Sequence, residues 1–332
     1  MSLQSEFFTL SQNEMKGRFS SLGAGVSSLS LDGKDLILTF EHDEDYLSAS
    51  GFFGKTLGRI AGRIPSPFVL DGKEYEVKNS EDGISLHGGN KESFSFLPFE
   101  GRVEEDEKEK RVIFTRISKD NECSFPGNLT VTITYSFLKS KENIFRITFD
   151  AVSDQDTLCS LSNHIYWNFF SEDVNSYVLT FPSHEMGSFM KGTSLVTGVQ
   201  KIEPCFDFNT KSPLKEKLDQ IEEAHPEIGT LDHTFLFDKD QERKIIVEND
   251  DIRLEVTTDF EAVNYYVDSS LNEFHFKQSN LNRAPRRALA IEPETFPLLS
   301  NLVLPKGKHY HHTITYKIIK KEREIHEIRR DA

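Results

Sequence analysis

The stretch NLTVTITYSFL, residues 128–138, alternates apolar and polar side chains along its whole length. Successive side chains of a β-strand point to opposite faces of the sheet, so this period of two is typical of a strand with one buried face. One face carries threonine and serine side chains, and the other carries Leu129, Val131, Ile133, Tyr135 and Phe137. The stretch therefore predicts a half-buried strand of an antiparallel sheet.

The same alternation recurs through the rest of the chain. It is found at Phe145, Ile147 and Phe149, at Ile252, Leu254 and Val256, and at Ile314, Tyr316 and Ile318. Two Asp-Gly pairs, Asp32-Gly33 and Asp71-Gly72, lie between such runs and predict two-residue type I′ hairpins. Regular strands joined in this way, without intervening helices, indicate antiparallel sheets packed face to face.

Helical pattern is scarce. The persuasive segment is SPLKEKLDQIEEA, residues 212–224, in which Ser212 is predicted to cap a helix whose apolar stripe is Leu214, Leu218 and Ile221. No linker rich in proline, glycine or serine divides the chain. We therefore predict an all-β protein, a large antiparallel β-sandwich with few short helices, in which residues 1–332 form a single domain.

Composition limits the function classes. The 332 residues include 39 basic and 54 acidic side chains, a formal net charge of -15, which disfavours binding to nucleic acid or anionic membranes. Three widely spaced cysteines argue against a disulfide framework. No apolar run is long enough for a membrane span, and no apolar segment typical of a secretory signal begins the sequence. We expect a cytoplasmic protein with a neutral or cationic small-molecule partner; its oligomeric state is not readable.

Five segments carry polar side chains that a sandwich core does not require. Singly, each has an ordinary structural explanation, because loop histidines are often solvated and buried ones are often satisfied by hydrogen bonds. The glycines of ISLHGG predict a tight turn that presents a histidine at a loop. The segments are GRIAGRI with Arg59 and Arg63, ISLHGG with His87, LSNHIYWNF with Asn163, His164 and Asn168, LDHTF with Asp232 and His233, and LAIEPETFP with Glu292.

Together these segments resemble the aldose 1-epimerase (galactose mutarotase) family, in order and over nearly the whole chain. That family shows GRxANRI before an Asp-Gly hairpin, then LHGG, NHxYFN, DH before a short strand, and a glutamate in LExxxxP. The corresponding text here is GRIAGRIPSPFVLDGKEY, LHGG, NHIYWN, LDHTF and IEPETFP. The resemblance implies a galactose mutarotase-like sandwich whose concave face binds a monosaccharide and interconverts its α and β anomers without cofactor or metal.

The resemblance also implies roles for individual residues. Glu292 is expected to be the general base, His164 the general acid, and His87 a third catalytic residue near the ring oxygen. Arg63 and Asp232 are expected to anchor sugar hydroxyls. A carboxylate and an imidazolium suffice for this reaction, because one proton leaves the C1 hydroxyl while another reaches the ring oxygen.

Two positions depart from the family pattern and two aromatic residues have open roles. Gly62 stands where the family has asparagine, and Asn264, a further expected substrate contact, stands where many members have glutamine. Trp167 and Tyr166 are expected to form an apolar platform for the sugar, with core packing the alternative for Trp167. These departures leave the identity of the sugar open.

Three other function classes remain as alternatives. A non-catalytic monosaccharide-binding protein would share the sandwich without needing the pairing of His164 with Glu292. A glycoside hydrolase would use two carboxylates about 5–10 Å apart, with Asp232 and Glu292 as candidates. A metal hydrolase would take its ligands from His309, His311 and His312, of which only the first two share a face of a strand.

Overall fold

The structure, a computed structural model, describes residues 5–268, 274–277 and 286–322. Strands are the commonest regular element among these residues, as the alternating pattern predicts. The strands from the first half of the chain are β1 (Phe7–Gln12), β2 (Met15–Ser20), β3 (Gly25–Leu31), β4 (Lys34–Asp35), β5 (Thr56–Leu57), β6 (Arg63–Pro65), β7 (Phe68–Leu70), β8 (Lys73–Tyr75), β9 (Ile84–Leu86), β10 (Glu100–Glu105), β11 (Glu109–Ser118), β12 (Leu129–Leu138), β13 (Asn143–Ser153), β14 (Thr157–Leu158), β15 (Ser162–Asn163) and β16 (Tyr166–Trp167).

The second half adds shorter strands around a long final one. They are β17 (Val178–Thr180), β18 (Glu185–Phe189), β19 (Val196–Lys201), β20 (Ser212–Pro213), β21 (Asp232–Leu236), β22 (Lys244–Glu248), β23 (Ile252–Thr258), β24 (Ala262–Val267), β25 (Leu289–Glu294), β26 (Val303–Leu304) and β27 (His309–Lys320). The α-helices of the described residues are α1 (Asp43–Ser48), α2 (Leu214–Ala224) and α3 (Leu299–Leu302).

Two large sheets organise the described part of the chain. One has nine strands in the order β10-β11-β12-β13-β27-β23-β22-β17-β20, and the other has six in the order β16-β25-β24-β21-β18-β19. Strands β1 to β4 form a smaller four-stranded sheet. Neighbouring strands in both large sheets run antiparallel, as predicted.

Cross-strand register explains why the alternating residues form the core. In the β12–β13 pair, Ile133 lies opposite Phe149 and Tyr135 opposite Ile147, so the apolar sets of both strands fall on one face. All four of these side chains are excluded from solvent. The core continues into the six-stranded sheet, where the ring of Trp167 lies 5.0 Å from that of Tyr316 in β27. The predicted all-β sandwich is confirmed, and the assignment of a single domain stays a prediction.

Both predicted Asp-Gly hairpins are confirmed. Asp32 and Gly33 have φ angles of 52° and 74° between β3 and β4, and Asp71 and Gly72 have 53° and 74° between β7 and β8. Positive φ at both central positions is the signature of a type I′ turn, whose twist matches that of the flanking strands.

Helix α2 is confirmed, but its predicted cap is wrong. Leu214, Leu218 and Ile221 are fully buried, as the stripe predicts. Ser212 lies in β20 opposite Leu179, and its hydroxyl donates to the carbonyl of Thr210. The chain stays extended because of this pairing, so the helix begins only at Leu214, without a side-chain cap. Among the described residues, no helix is both long and apolar enough to cross a membrane.

Candidate active site

The outer face of the six-stranded sheet presents a row of polar side chains. Register places Thr234 of β21 opposite Asn264 of β24, and Asn264 opposite Glu292 of β25. The neighbouring residues Phe235, Tyr265 and Ile291 are fully buried in the core between the sheets. The period of two therefore separates a polar face from an apolar one, and the polar face forms the floor of a cavity.

A two-stranded ribbon supplies a second wall. Strands β6 and β9 pair antiparallel, with Arg63 opposite Leu86, and this pairing continues into the adjoining loop. There the amide of His87 donates to the carbonyl of Gly62 at 2.9 Å, and the amide of Gly62 donates to Nδ1 of His87 at 3.1 Å. Gly88 has a φ of 79°, and a Cβ there would lie 2.6 Å from the carbonyl oxygen of Gly58. A side chain at Gly88 would therefore displace the loop that carries His87.

Together these elements enclose a cavity of about 200 Å³. This is below the roughly 300–1,000 Å³ of pockets for drug-sized ligands and suits a monosaccharide. Six of the seven residues expected at the site line it: Arg63, His87, His164, Asp232, Asn264 and Glu292. The remaining lining residues are Phe52, Gly62, Leu86, Tyr166, Phe189, Ser194, Val196, Thr234, Tyr266 and Pro297.

His164 and Glu292 form the central pair of the cavity. Nε2 of His164 lies 3.5 Å from Oε1 of Glu292, and the two side chains are only 6% and 1% exposed. Oε2 of Glu292 has no hydrogen-bond partner within the described ranges. Asn264 donates to Oε1 from its Nδ2 at 3.4 Å. One carboxyl oxygen is thus held by the protein, while the other is buried without a hydrogen-bond partner within the described ranges.

Burial changes the proton affinities of this pair in opposite directions. Loss of solvent raises the pKa of Glu292 well above its ordinary value, and the nearby Glu294 and Asp232 raise it further. Loss of solvent lowers the pKa of His164 to about 4. Both changes disfavour the ionised Glu292 and the protonated His164 that the expected roles of base and acid require. Low polarity there favours the uncharged form of both groups.

His87 has a defined tautomer. Its Nδ1 accepts the Gly62 amide proton, so in the neutral ring the proton is on Nε2. Burial is the main cause that lowers the pKa of His87 well below its ordinary value, and the charges of His164 and Arg63 lower it further. The ring packs edge-on against Phe52, with centroids 4.6 Å apart. His87 is therefore a neutral donor.

Arg63 and Asp232 form an ion pair in the cavity lining. Nη2 of Arg63 donates to Oδ2 of Asp232 at 3.1 Å, and both side chains are partly exposed. The pair joins the ribbon to the six-stranded sheet. It presents a donor and an acceptor side by side, an arrangement that suits two neighbouring hydroxyls of a sugar.

Three of these groups are close enough to consider as metal ligands. One ring nitrogen of His87, one of His164 and an oxygen of Glu292 lie within 4.8 Å of one another. However, Nδ1 of His87 is occupied by the Gly62 amide, and Nε2 then carries a proton, so neither nitrogen offers a lone pair. The arrangement therefore fits proton transfer better than coordination. Glu203, Cys205 and His225 form a second such group outside the cavity lining.

The prediction that Trp167 contacts substrate is wrong. Its side chain is fully buried between the sheets against Phe169 and Tyr316. Adjacent residues of a strand point to opposite faces, so Tyr166 lines the cavity and Trp167 cannot. Tyr166 packs against His164, with ring centroids 4.6 Å apart.

Other polar residues of the five segments have structural roles. Arg59 is buried and donates to the carbonyls of Pro126, Ser118, Lys119 and Gly127. Asn163 binds the carbonyl of Gly54, and Asn168 binds that of Arg287. His233 lies on the inner face of β21, with its ring 4.4 Å from that of Phe206. These four side chains do not line the cavity and instead connect neighbouring segments of the chain.

The histidine-cluster alternative is not supported by the geometry. His309 and His311 lie at the surface beside Asp150, whereas His312 stacks on Phe260 with ring centroids 4.1 Å apart. The three side chains therefore do not converge on one point.

Sequence reasoning missed Thr234, Tyr266 and Phe52 as cavity residues. The first two have a signal in the sequence, because each lies two positions after an expected site residue in a strand and so shares its face: Asp232 for Thr234 and Asn264 for Tyr266. Phe52 lies in a loop between α1 and β5, where no such period applies.

Comparisons with known proteins agree over most of the chain. The family profile described as aldose 1-epimerase matches residues 6–317. A galactose mutarotase from Bos taurus is 26% identical over 333 residues, covering 94% of this chain and 93% of its own. A maltose epimerase from Levilactobacillus brevis is 28% identical over 297 residues, covering 85% and 82%.

Solved structures share the fold. A galactose 1-epimerase from Lactobacillus acidophilus superposes with a TM-score of 0.83 at 22% identity, over 97% of this chain and all of its own. An aldose epimerase homologue from C. elegans gives 0.82 at 23% identity, over 96% of this chain and all of its own. The profile match across nearly the whole chain shows that it belongs to the aldose 1-epimerase family.

Proposed function

We propose that this protein is an isomerase that interconverts the α and β anomers of a free aldose by opening and reclosing the pyranose ring. The observation that carries the proposal is the buried pair of His164 and Glu292 at the floor of a monosaccharide-sized cavity. The assigned roles are Glu292 as base, His164 as acid, and Arg63, Asp232 and Asn264 as hydroxyl contacts.

In the proposed reaction, Glu292 removes the proton of the C1 hydroxyl while protonated His164 gives its proton to the ring oxygen. The C1–O5 bond breaks, the aldehyde forms, and rotation about C1–C2 exposes its other face. Reclosure returns both protons by the same two groups in exchanged roles. Each positioned proton transfer contributes about 10²- to 10⁴-fold in rate. His87, a neutral donor, stabilises negative charge on a sugar oxygen.

The opposed pKa changes fit this cycle. The pair shares one proton, and the uncharged arrangement favoured by burial, protonated Glu292 beside neutral His164, is the one reached after ring opening. Sugar hydroxyls bring dipoles that stabilise the charged arrangement needed to begin.

A free monosaccharide is the proposed substrate. The relatives are named for galactose and for maltose, and the small cavity favours a single ring. A cytoplasmic location is proposed because Cys123, Cys159 and Cys205 are all buried as free thiols, which fits a reducing compartment. Fractionation of cells that produce the protein tests the location.

The function is tested by proton exchange NMR on a panel of free aldoses, in which cross-peaks between anomeric protons report interconversion directly. Catalysed exchange for at least one aldose is expected. A protein that binds a sugar yet leaves the exchange rate at its spontaneous value would be the non-catalytic binding protein instead.

A further inference from the structure

Glu294 is a fully buried carboxyl group beneath the cavity that the proposed reaction does not use. It lies two residues after Glu292 in β25 and therefore shares its face. Its Oε1 is 3.2 Å from the hydroxyl oxygen of Thr234, which is itself 3.2 Å from Oδ1 of Asn264. Nδ2 of Asn264 reaches Oε1 of Glu292 at 3.4 Å. Four side chains thus form one continuous chain of hydrogen bonds between the two glutamates.

The direction of this chain follows from counting protons. Asn264 points its N–H at Glu292 and therefore turns its carbonyl oxygen to Thr234, which must donate to it. A hydroxyl has one proton, so the contact between Thr234 and Glu294 requires the proton to come from Glu294. With the amide in this orientation, all three contacts form together when Glu294 is a neutral carboxylic acid and Glu292 accepts at the far end.

We propose that Glu294 is a positioning residue for the catalytic base: as a neutral acid it orients Thr234 and Asn264, which hold Oε1 of Glu292 and leave Oε2 to the C1 hydroxyl. This inference rests on the proposed function and deepens it. It assigns a use to a buried carboxyl group that the proposed reaction otherwise leaves without a role.

The surroundings of Glu294 keep it protonated. Burial, with the charges of Asp232 and Glu261, raises the pKa of Glu294 to about 8, although a hydrogen bond from Thr234 and the charge of Arg63 act in the opposite direction. Glu292 lies on the same face of β25 and carries no positive charge that would stabilise the ionised form of Glu294. Gly62 affects the space around this carboxyl group, because a Cβ at its position would lie 3.2 Å from Oε2 of Glu294. The absence of a side chain at Gly62 leaves room for the carboxyl.

The first test compares two variants of similar size, Glu294→Gln and Glu294→Met. Glutamine donates an N–H to Thr234 as the acid does, so kcat should stay within about threefold of the parent, whereas methionine cannot donate and should lower kcat about tenfold with little change in KM. Thr234→Ser and Thr234→Val form a second matched pair with the same expected order. Equal activities within each pair, in folded proteins, would overturn the proposal.

The second test uses pH. Ionised Glu294 cannot donate, so the parent should lose activity as pH rises through about 8, and Glu294→Gln should move this alkaline limb upward. A role confined to charge repulsion predicts the reverse, because removing the negative charge lowers the pKa of Glu292 and moves the limb downward. An unchanged or downward limb therefore contradicts positioning.

Infrared difference spectra separate this inference from the proposed function. The parent minus Glu294→Gln should show a protonated carboxyl band at pH 6 that is lost at pH 9, whatever the activity. A missing band overturns the neutral acid. Absence of anomer exchange in the parent overturns the proposed function, and the positioning role with it, whereas exchange in the parent with indifference to Glu294→Met overturns the positioning role alone.

Discussion

Nε2 of His164 lies 3.5 Å from Oε1 of Glu292, with both side chains almost completely removed from solvent. An isolated charge on either group would be costly at this depth, but a proton passing between them conserves the net charge of the cavity. The relationship makes the pair, and not either residue alone, the titrating unit.

The pH dependence should reflect the proton count of this pair. We expect kcat/KM to follow a bell. At acid pH activity falls because His164, whose pKa is about 4, becomes protonated and the pair then holds two protons. At alkaline pH activity falls because the carboxyl groups of raised pKa ionise. Initial rates from pH 3.5 to 9.5 test this. An acid limb near 6.5, the ordinary histidine value, would contradict the effect of burial on His164.

Chelation should leave the activity unchanged. The proposed chemistry needs only side-chain proton transfer, and the tautomer of His87 leaves no lone pair for a metal ion. Anomer exchange is measured before and after exhaustive dialysis against EDTA. Loss of activity that zinc or manganese restores would revive a metal-dependent mechanism.

A free aldose should be preferred over its 6-phosphate. Among the described residues that line the cavity, Arg63 is the one arginine or lysine, and it is paired with Asp232. Arg59 does not line the cavity and binds backbone carbonyls elsewhere. We expect kcat/KM about tenfold lower for glucose 6-phosphate than for glucose, because a dianion lacks a free cation. A tenfold preference for the phosphate would reverse this view.

Trp167→Phe should affect stability and not substrate binding. The indole fills the space between the sheets beside Tyr316, and the smaller ring leaves a void that costs about 1–3 kcal/mol in the free energy of unfolding. Urea denaturation measures the cost, and KM should stay within about twofold, since Trp167 does not line the cavity. A large rise in KM at unchanged stability would restore the platform role.

The alternating pattern was sufficient to predict the sheets but not the faces of the shortest strands. In a long strand such as β12, five buried side chains occur at alternate positions, so the sequence shows which face is the inner one. Strand β16 has only Tyr166 and Trp167, and two residues are too few for an alternating pattern to show which face is buried. Which of them faces the cavity depends on pairing with β25, a contact between segments more than a hundred residues apart.

The site shows a similar division. The rise in the pKa of Glu292 was predictable, because the apolar run before it indicates burial. The lowering at His164 was not, since nothing local shows that its loop is covered by Phe52 and Tyr166. Ser212 illustrates the same limit, because tertiary pairing with β17 overrides its local preference for a helix cap.

The most direct test of the catalytic pair is the anomer exchange rate of Glu292→Gln beside that of Glu294→Gln, each measured by NMR on an aldose that the parent converts. We predict that Glu292→Gln lowers kcat by about 10²-fold or more while sugar still binds, as loss of a general base requires, and that Glu294→Gln stays within about threefold of the parent. The opposite order, in two folded variants, would contradict the assignment of Glu292 as the catalytic base.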